Sequence, residues 1–473
     1  MEVKAELRGE AKLKEVSRLI ELLKEDFIEK KLLPPDRNAL LEQVKVFSRS
    51  PDNADHQGIE TLCKHGFDGN SLITSREALR CLANAFLLDS NTRQFFVDLG
   101  YPEKAAERLK VYTMAQIPHG KRTNDNRDDE FLISRILFLM TYGTTLDFDN
   151  LIELHQLADS INNNIARHAK NWPRVCSRSQ PPQMDEMALS ESLKLLFNVT
   201  THYPHRVESF SKSISCTFKI LGRIKIPPLP LQGTVSYLIN GVLNLDLEDK
   251  KKFLGANPVF PKFDQNCNVD KLVEILDKAV DAYKEQELEQ FAVPLVTLLR
   301  KVYEFSPDGP KKHMQELLLP TDEERERPLG ESQSLSSKLL KLSTSPVAPS
   351  LREAISSIMF ELSDKDADKF VKNIGFGFAS GFLMNHNLPI PSSASQAYSN
   401  ETQDSEDTPI NPVTGQRVDR EIPDDEPPMT EEEKEREAER LFVLFERLKA
   451  TGVVDVKNPF KQAMDEGRFE ELD

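Results

Sequence analysis

Two histidines stand three positions apart in the segment 202–205 (HYPH), and two imidazoles at short spacing can share a metal ion. Pro204 lies between them and breaks the helical spacing that would turn both rings to one side. The remaining histidines are isolated in the sequence. We therefore expect ordinary core or surface histidines here, with neither a metal site nor a cofactor.

The sequence contains none of the HExxH, GxSxG or Walker P-loop motifs. The segment 375–381 (GFGFASG) resembles a glycine-rich phosphate loop, but it is one residue too long and follows a charged helical stretch instead of a strand. We interpret it as a helix that packs closely through Gly, Ala and Ser. No catalytic residue is predicted, and the chain is not expected to be an enzyme.

A set of Asn and Arg residues could instead bind a peptide of a partner protein. The amide of an Asn both donates and accepts hydrogen bonds, so it can hold the backbone of an extended or helical partner. Arg80 and Arg135 would add positive charge suited to an acidic group or a terminal carboxylate. The alternative is that the Asn side chains bond within the protein, and the sequence does not choose. The three candidates are Asn84, Asn198 and Asn240.

The elements that carry these residues are helices with an internal repeat. Residues 77–84 (EALRCLAN) match 191–198 (ESLKLLFN), and weaker copies place the Asn position at 141, 240 and 300. Armadillo and HEAT repeats run about 40–47 residues, so the longer spacings require inserted loops, expected at 118–129 and 172–184. The pattern predicts an all-α, armadillo/HEAT-type solenoid whose third helices line a concave surface. The alternative is an irregular helical domain with similar Leu-rich helices.

Length and charge agree with a repeat protein that binds other proteins. The chain has 473 residues, whereas a single core stops growing at about 250–300. The net charge is −16, of which residues 401–473 carry −12 (22 acidic, 10 basic), so nucleic acid and anionic membranes are poor partners for this region. The other 400 residues carry −4 and could still present a local basic face.

Compartment follows from two negative features of the sequence. Five scattered cysteines without CxxC spacing are typical of free thiols in a reducing compartment. No run approaches 18 apolar residues, so no transmembrane segment is predicted. We expect a cytoplasmic protein.

One strand-like stretch, 216–226, is too isolated to form a sheet.

The C-terminal part changes character after Pro389. We expect a solenoid over 1–389, an acidic Pro/Ser-rich linker over 390–429 and a helical tail over 430–473. A capping box from Thr430 to Glu433 starts the last helix. This helix either caps the solenoid or, as the long linker favours, acts as a tethered recognition helix. Its apolar stripe contains Leu441, Phe442, Phe445 and Leu448.

Several of these segments resemble one known family. They are 80–84 (RCLAN), 317–322 (LLLPTD), 339–346 (LLKLSTSP), 370–381 (FVKNIGFGFASG), 411–415 (NPVTG) and 429–441 (MTEEEKEREAERL). Their order and spacing are similar to those of the synembryn family, also called resistance to inhibitors of cholinesterase. The resemblance runs over nearly the whole chain, which looks like a fungal-like short form.

The resemblance implies a fold and a partner. Family members are armadillo/HEAT solenoids that bind GDP-bound or nascent G-protein alpha subunits, promote GDP release, hold the nucleotide-free state and assist folding. By implication the concave-face candidates receive the C-terminal helix of the alpha subunit, and the tail helix contacts its nucleotide domain. The family also implies phosphorylation by an acidophilic kinase, with Ser399, Thr402 and Ser405 as acceptors, and recruitment to the plasma membrane through the partner.

Two other classes of function stay open at this point. One is a generic armadillo-type adaptor without exchange activity, for example in nuclear transport. Grooves of that class rely on regularly placed Trp, whereas this chain has only Trp172, which we expect in a loop. The other is a helical enzyme, which would need a convergent polar pocket that the sequence does not indicate.

Overall fold

The computed structural model describes residues 9–47, 56–114, 125–174, 179–248, 257, 259–389, 391, 410–421 and 430–450. These residues form mostly α-helices, and they contain no β-strand beyond one isolated bridge between Ile410 and Arg417. The first ten helices are α1 (Gly9–Glu29), α2 (Pro34–Phe47), α3 (His56–Cys63), α4 (Leu72–Leu88), α5 (Asn91–Asp98), α6 (Tyr101–Met114), α7 (Asp125–Met140), α8 (Phe148–Glu153), α9 (Leu157–Asn171) and α10 (Gln183–His202).

The remaining helices continue the same pattern to the end of the described chain. They are α11 (Lys212–Leu221), α12 (Thr234–Leu243), α13 (Cys267–Ala282), α14 (Glu285–Phe291), α15 (Val293–Glu304), α16 (Asp308–Leu318), α17 (Leu335–Leu342), α18 (Pro349–Leu362), α19 (Ala367–Ile374), α20 (Phe376–Asn385) and α21 (Glu431–Ala450). Short polar side chains start several helices by accepting a backbone N–H of the first turn. These caps are Ser71, Asp147, Ser334 and Asp366.

The chain consists of two compact units, Met1–Asp419 and Arg420–Asp473. In the first unit, α2, α4, α7, α10, α12, α15 and α18 pack side by side in chain order and form what we call the first row. The second row contains α6, α9, α11, α13 and α16, and its helices pack against the first row. All the helices that carry the five sequence copies belong to the first row.

The core lies between the rows because the repeat fixes which positions point inward. The two apolar positions of the pattern are at most 5 % exposed in all five copies. Stacking the copies therefore buries a continuous apolar seam, as expected for helical repeats. These positions are Leu79 and Leu82, Ile136 and Leu139, Leu193 and Leu196, Val235 and Leu238, and Leu295 and Leu298.

One local expectation from the sequence is wrong, because the loop expected over 118–129 overlaps α7, which already begins at Asp125. The stretch 216–226 forms no sheet, as expected. It begins inside α11, where Ile214 and Phe218 are buried at helical spacing and tertiary packing overrides β-propensity. Trp172 follows the last residue of α9 with extended backbone, as expected for a loop, and its side chain is buried.

The predicted linker, 390–429, is divided by the boundary between the units. Residues 410–419 belong to the first unit, where they form a turn against α20, and the second unit begins at Arg420. Within the described residues, no helix is long and apolar enough to cross a membrane.

Candidate protein-binding surface

The carboxylate of Glu77 joins α4 to the first-row helix before it. Lys45 Nζ on α2 donates to Glu77 Oε2 at 2.8 Å, and Arg80 Nη1, one turn along α4, donates to Glu77 Oε1 at 2.6 Å. Arg80 also reaches α7, where its Nη2 lies 3.3 Å from Asp128 Oδ2. The predicted site residue Arg80 is thus partly exposed and held at the junction of two first-row helices.

The same arrangement recurs two first-row helices further on. Glu191 Oε1 on α10 accepts from Arg135 Nη1 on α7 at 3.1 Å and from Lys194 Nζ, one turn along α10, at 2.9 Å. The match of 77–84 with 191–198 is therefore also a match in contacts. Each Glu binds one cation of its own helix and one of the preceding first-row helix.

Aromatic rings lie beneath these cations. The Arg135 guanidinium carbon is 5.9 Å from the centroid of the Phe131 ring. Lys194 Nζ is 5.8 Å from the Phe138 ring and 4.7 Å from the Tyr237 ring on α12. All three rings are half-buried. Cation–π contact holds the charges in place, and the resulting surface on α7, α10 and α12 offers both apolar area and charge to a partner helix.

The three predicted Asn residues have different surroundings. Asn198 is buried, and its Nδ2 donates to Thr141 Oγ1 at 2.7 Å, so it bonds to the residue at the Asn position of the preceding copy. Asn84 and Asn240 are half-buried, and neither amide makes a side-chain hydrogen bond with any other described residue. The side-chain amide of Asn198 is already used in a hydrogen bond between neighbouring first-row helices. The amides of Asn84 and Asn240 can bond to a partner.

This difference predicts opposite outcomes for two similar substitutions. Asn198→Ala removes a buried hydrogen bond and should lower the free energy of unfolding by about 1 kcal/mol. Asn84→Ala removes no side-chain hydrogen bond to any of the described residues, and its effect on stability should stay within about 0.5 kcal/mol. Urea unfolding followed by circular dichroism measures both. Equal destabilisation would contradict the assignment of Asn198 to the fold and Asn84 to the surface.

Two consecutive buried acids on α7, Asp129 and Glu130, connect the neighbouring helices beneath this surface. Asp129 Oδ2 on α7 accepts from Arg76 Nη2 on α4 at 2.7 Å, and its Oδ1 accepts from Arg108 Nη2 on α6 at 2.6 Å. The Asp129 carboxylate is fully buried. Sequence reasoning missed this connection because it assigned Asp129 to a loop, although the acids 128–130 at the start of a helix were a visible signal.

Glu130 points to the other side of α7. It accepts hydrogen bonds from Arg167 and from Ser192 Oγ at 3.1 Å, and His168 Nε2 lies 3.0 Å from its Oε1. Burial alone would raise the pKa of Glu130, but His168 and Arg167 outweigh it and lower the pKa to about 2. Glu130 is therefore ionised at neutral pH and ties α7 to α9 and α10.

The second candidate surface lies on α21, which begins as its sequence predicts. Glu433 Oε2 accepts from the backbone N of Thr430 at 3.0 Å, which is the capping-box contact. Leu441 and Phe442 of the predicted stripe are 39 % and 38 % exposed. Two apolar neighbours that the stripe did not include, Val443 and Leu444, are also exposed. The helix therefore presents unusual apolar area to solvent for a charged segment.

Several predicted residues lie outside the described part of the chain. Phe445 and Leu448 lie within α21, but their side chains are outside the described residues. The candidate phosphorylation sites Ser399, Thr402 and Ser405 are outside them as well.

One of the two histidines singled out by the sequence, His205, has an ordinary partner. His205 Nε2 lies 2.8 Å from Asp149 Oδ1 and pairs with it at the surface. Across the described ranges, no group of three or more His, Cys, Asp or Glu side chains could hold a metal ion.

Comparison with known proteins gives one consistent result. Residues 40–468 match the family described as the guanine nucleotide exchange factor synembryn. A synembryn-like chaperone of Schizosaccharomyces pombe is 26 % identical over 360 residues, which cover 73 % of this chain and 66 % of that protein. The chaperone Ric-8A of Macaca fascicularis is 25 % identical over 486 residues, covering 94 % of this chain and 87 % of that protein. Ric-8A of Xenopus tropicalis is 26 % identical over 494 residues, with the same coverage of both chains.

Proposed function

The chain belongs to the family of the guanine nucleotide exchange factor synembryn, and on that basis we propose that it binds GDP-bound or nascent alpha subunits of heterotrimeric G proteins. It promotes GDP release, stabilises the nucleotide-free state and assists folding of the alpha subunit. The observation that carries the proposal is the family match over 40–468, which includes both candidate surfaces. The chaperone names of the relatives support the folding role.

The first unit would act as an armadillo/HEAT-type solenoid. Two rows of helices with equivalent Glu-centred contacts at Glu77 and Glu191 support this interpretation. In such an array each repeat offers equivalent side chains at regular intervals, so a long partner segment can be bound at several points. The first-row surface is then the concave face on which the C-terminal helix of the alpha subunit lies.

Each candidate on that face has a chemical role. Arg80 and Arg135 are held by acids but remain partly exposed, so they can share their guanidinium groups with a carboxylate of the partner. The amides of Asn84 and Asn240 can bond to exposed backbone groups of the partner. Asn198 supports the face from within. The apolar residues of α21 would contact the nucleotide domain.

Exchange of this kind needs no catalytic side chain. A protein that binds the nucleotide-free alpha subunit more tightly than the GDP-bound form lowers its affinity for GDP by the same factor, because the coupling is reciprocal. GTP then favours dissociation of the complex for the same reason. The chain would thus act through binding energy alone, and we propose that it is not an enzyme.

The test is GDP release from a purified alpha subunit at several concentrations of this protein. We expect saturable acceleration that is lost when the last helix of the alpha subunit is removed. The double variant Asn84→Ala/Asn240→Ala should require a higher concentration for half-maximal acceleration at unchanged stability. If no cognate alpha subunit responds and none forms a complex on gel filtration, the chain is a generic adaptor instead.

The acidic segment around Ser399, Thr402 and Ser405 is proposed as a substrate of an acidophilic kinase. Added phosphate could pair with basic groups of the solenoid and order the segment. Mass spectrometry of the protein isolated from cells tests this, and absence of phosphate between 396 and 407 would refute it. We place the protein in the cytoplasm, with recruitment to the plasma membrane through its partner.

A further inference from the structure

Residues 410–417, which we call the strap, close the end of the first unit. The backbone N of Phe376 at the start of α20 donates to Pro412 O at 2.7 Å, and the N of Gly377 donates to Val413 O at 3.0 Å. These N–H groups have no acceptor within their own helix, because they belong to its first turn. The strap therefore caps α20 with carbonyls from a segment 36 residues further along the chain.

The strap also binds the turn before α17. Arg325 is buried, and its Nη1 donates to Gly415 O at 3.0 Å while its Nη2 donates to Asn373 O at 2.8 Å. Leu329 N donates to Thr414 O at 3.2 Å. Arg325 thus joins the strap, α19 and its own turn, which makes the contact a specific joint and not a loose loop contact.

Two glycines make this close approach possible. Gly415 has φ +68°, and a Cβ there would lie 2.4 Å from Leu329 Cδ1. Gly375 has φ +81°, and a Cβ there would lie 2.9 Å from Val413 O. Only glycine tolerates both the left-handed backbone and these distances. The motifs at 375–381 and 411–415, which looked unrelated in the sequence, are the two sides of one joint.

We propose that the strap is a positioning element that sets where the tether of the tail helix begins. This inference rests on the proposed function, because it assumes that α21 and the first-row surface bind the same alpha subunit. Without the joint, 40 positions (390–429) would separate Pro389 from Thr430. With it, only the ten positions 420–429 separate the first unit from Thr430. Their Pro- and acid-rich composition predicts a tether without a core of its own.

The length of the tether determines how strongly binding of α21 assists binding of the first-row surface to the same alpha subunit. The effective concentration of a flexibly linked group falls roughly as the −3/2 power of the number of residues, once the tether can span the sites. Shortening from 40 to ten residues therefore raises it about eightfold. Releasing the strap should raise the concentration of protein needed for half-maximal GDP release by about that factor.

The decisive experiment inserts the same 20-residue Gly/Ser sequence at two places in the full-length chain. Placed between 394 and 395, outside the proposed phosphorylation segment, it lengthens the chain between α20 and the strap, and half-maximal GDP release should occur at an unchanged concentration. Placed between 425 and 426, it triples the tether, and the required concentration should rise about fivefold. Equal effects of both insertions, or none from either, would overturn the proposal.

Gly415→Val tests the joint itself, with Gly381→Ala on α20 as the matched control, since a Cβ at Gly381 meets nothing within 4 Å. Hydrogen exchange of the Phe376 and Gly377 backbone amides should accelerate in Gly415→Val and not in the control. The same variant should need about eight times more protein for half-maximal GDP release. Unchanged exchange rates would overturn the strap as a joint. If the wild type accelerates no GDP release, the proposed function fails, whereas amide protection by the strap is still measurable.

Discussion

Replacing Leu441 and Phe442 together by Asp should weaken the complex with a nucleotide-free alpha subunit by about 10³-fold. Apolar residues at the centre of an interface each contribute about 2 kcal/mol or more, and about 4 kcal/mol corresponds to this factor in Kd. Both side chains are exposed in the free protein, so the double variant should fold normally. Acceleration of GDP release should fall in parallel.

The helix offers its own matched control. Val443 is likewise apolar and exposed, but helix geometry puts it on the side opposite the predicted stripe, whereas Leu444 lies beside the stripe, one turn from Leu441. The Val443→Asp variant introduces a charge away from the stripe and should bind within about tenfold of the wild type. Affinity is measured by calorimetry against the nucleotide-free subunit. Equal losses in both variants would mean that α21 acts through charge or total hydrophobicity and not through one face.

The second large effect concerns stability. Asp129→Ala should lower the free energy of unfolding by about 3–5 kcal/mol, because it removes the fully buried carboxylate that the buried Arg76 and the half-buried Arg108 share. Arg76 and Arg108 come from different helices, so the loss affects the α4, α6 and α7 packing together. Urea unfolding monitored by circular dichroism gives the difference.

Asp128→Ala is the control for that substitution, since it removes the same charge from the adjacent position. Asp128 is more exposed and meets Arg80 at 3.3 Å, so its loss should cost less than about 1 kcal/mol. Should Asp129→Ala prove as mild as Asp128→Ala, the buried cluster would be loosely coupled to folding. A large loss of stability in both variants would instead indicate that negative charge at the start of α7 matters more than the specific contact of Asp129 with Arg76 and Arg108.

The apolar part of the fold was predictable because it repeats. Positions such as Leu82 and Leu196 recur at fixed distance from the Asn position, and a repeat tells which side of each helix is buried even when the partner helix is unknown. The same reasoning placed Arg80 and Arg135 on one row. It left the role of the Asn residues open, since whether Asn198 finds Thr141 depends on the distance between neighbouring helices.

The joint at the strap could not be predicted from local patterns. The segment with glycines at 375 and 377 does begin a helix, as its small residues predict. These glycines also leave room for the backbone of the strap, which follows about 36 residues later in the chain. The α11 region shows the same limit of local patterns. Its β-branched residues favour a strand locally, whereas burial of Ile214 and Phe218 favours a helix.

The adjacent acids of α7 have a mechanical consequence. Asp129 binds α4 and α6 through ion pairs, and Glu130 binds α9 through Arg167 and α10 through the hydroxyl of Ser192, so five helices are cross-linked by adjacent residues. The segment from α4 to α10 should therefore resist bending. Such stiffness would keep Arg80 on α4 and Arg135 on α7 at a constant separation when a partner binds, so the spacing of the two guanidinium groups would act as a fixed ruler for the partner's acidic groups.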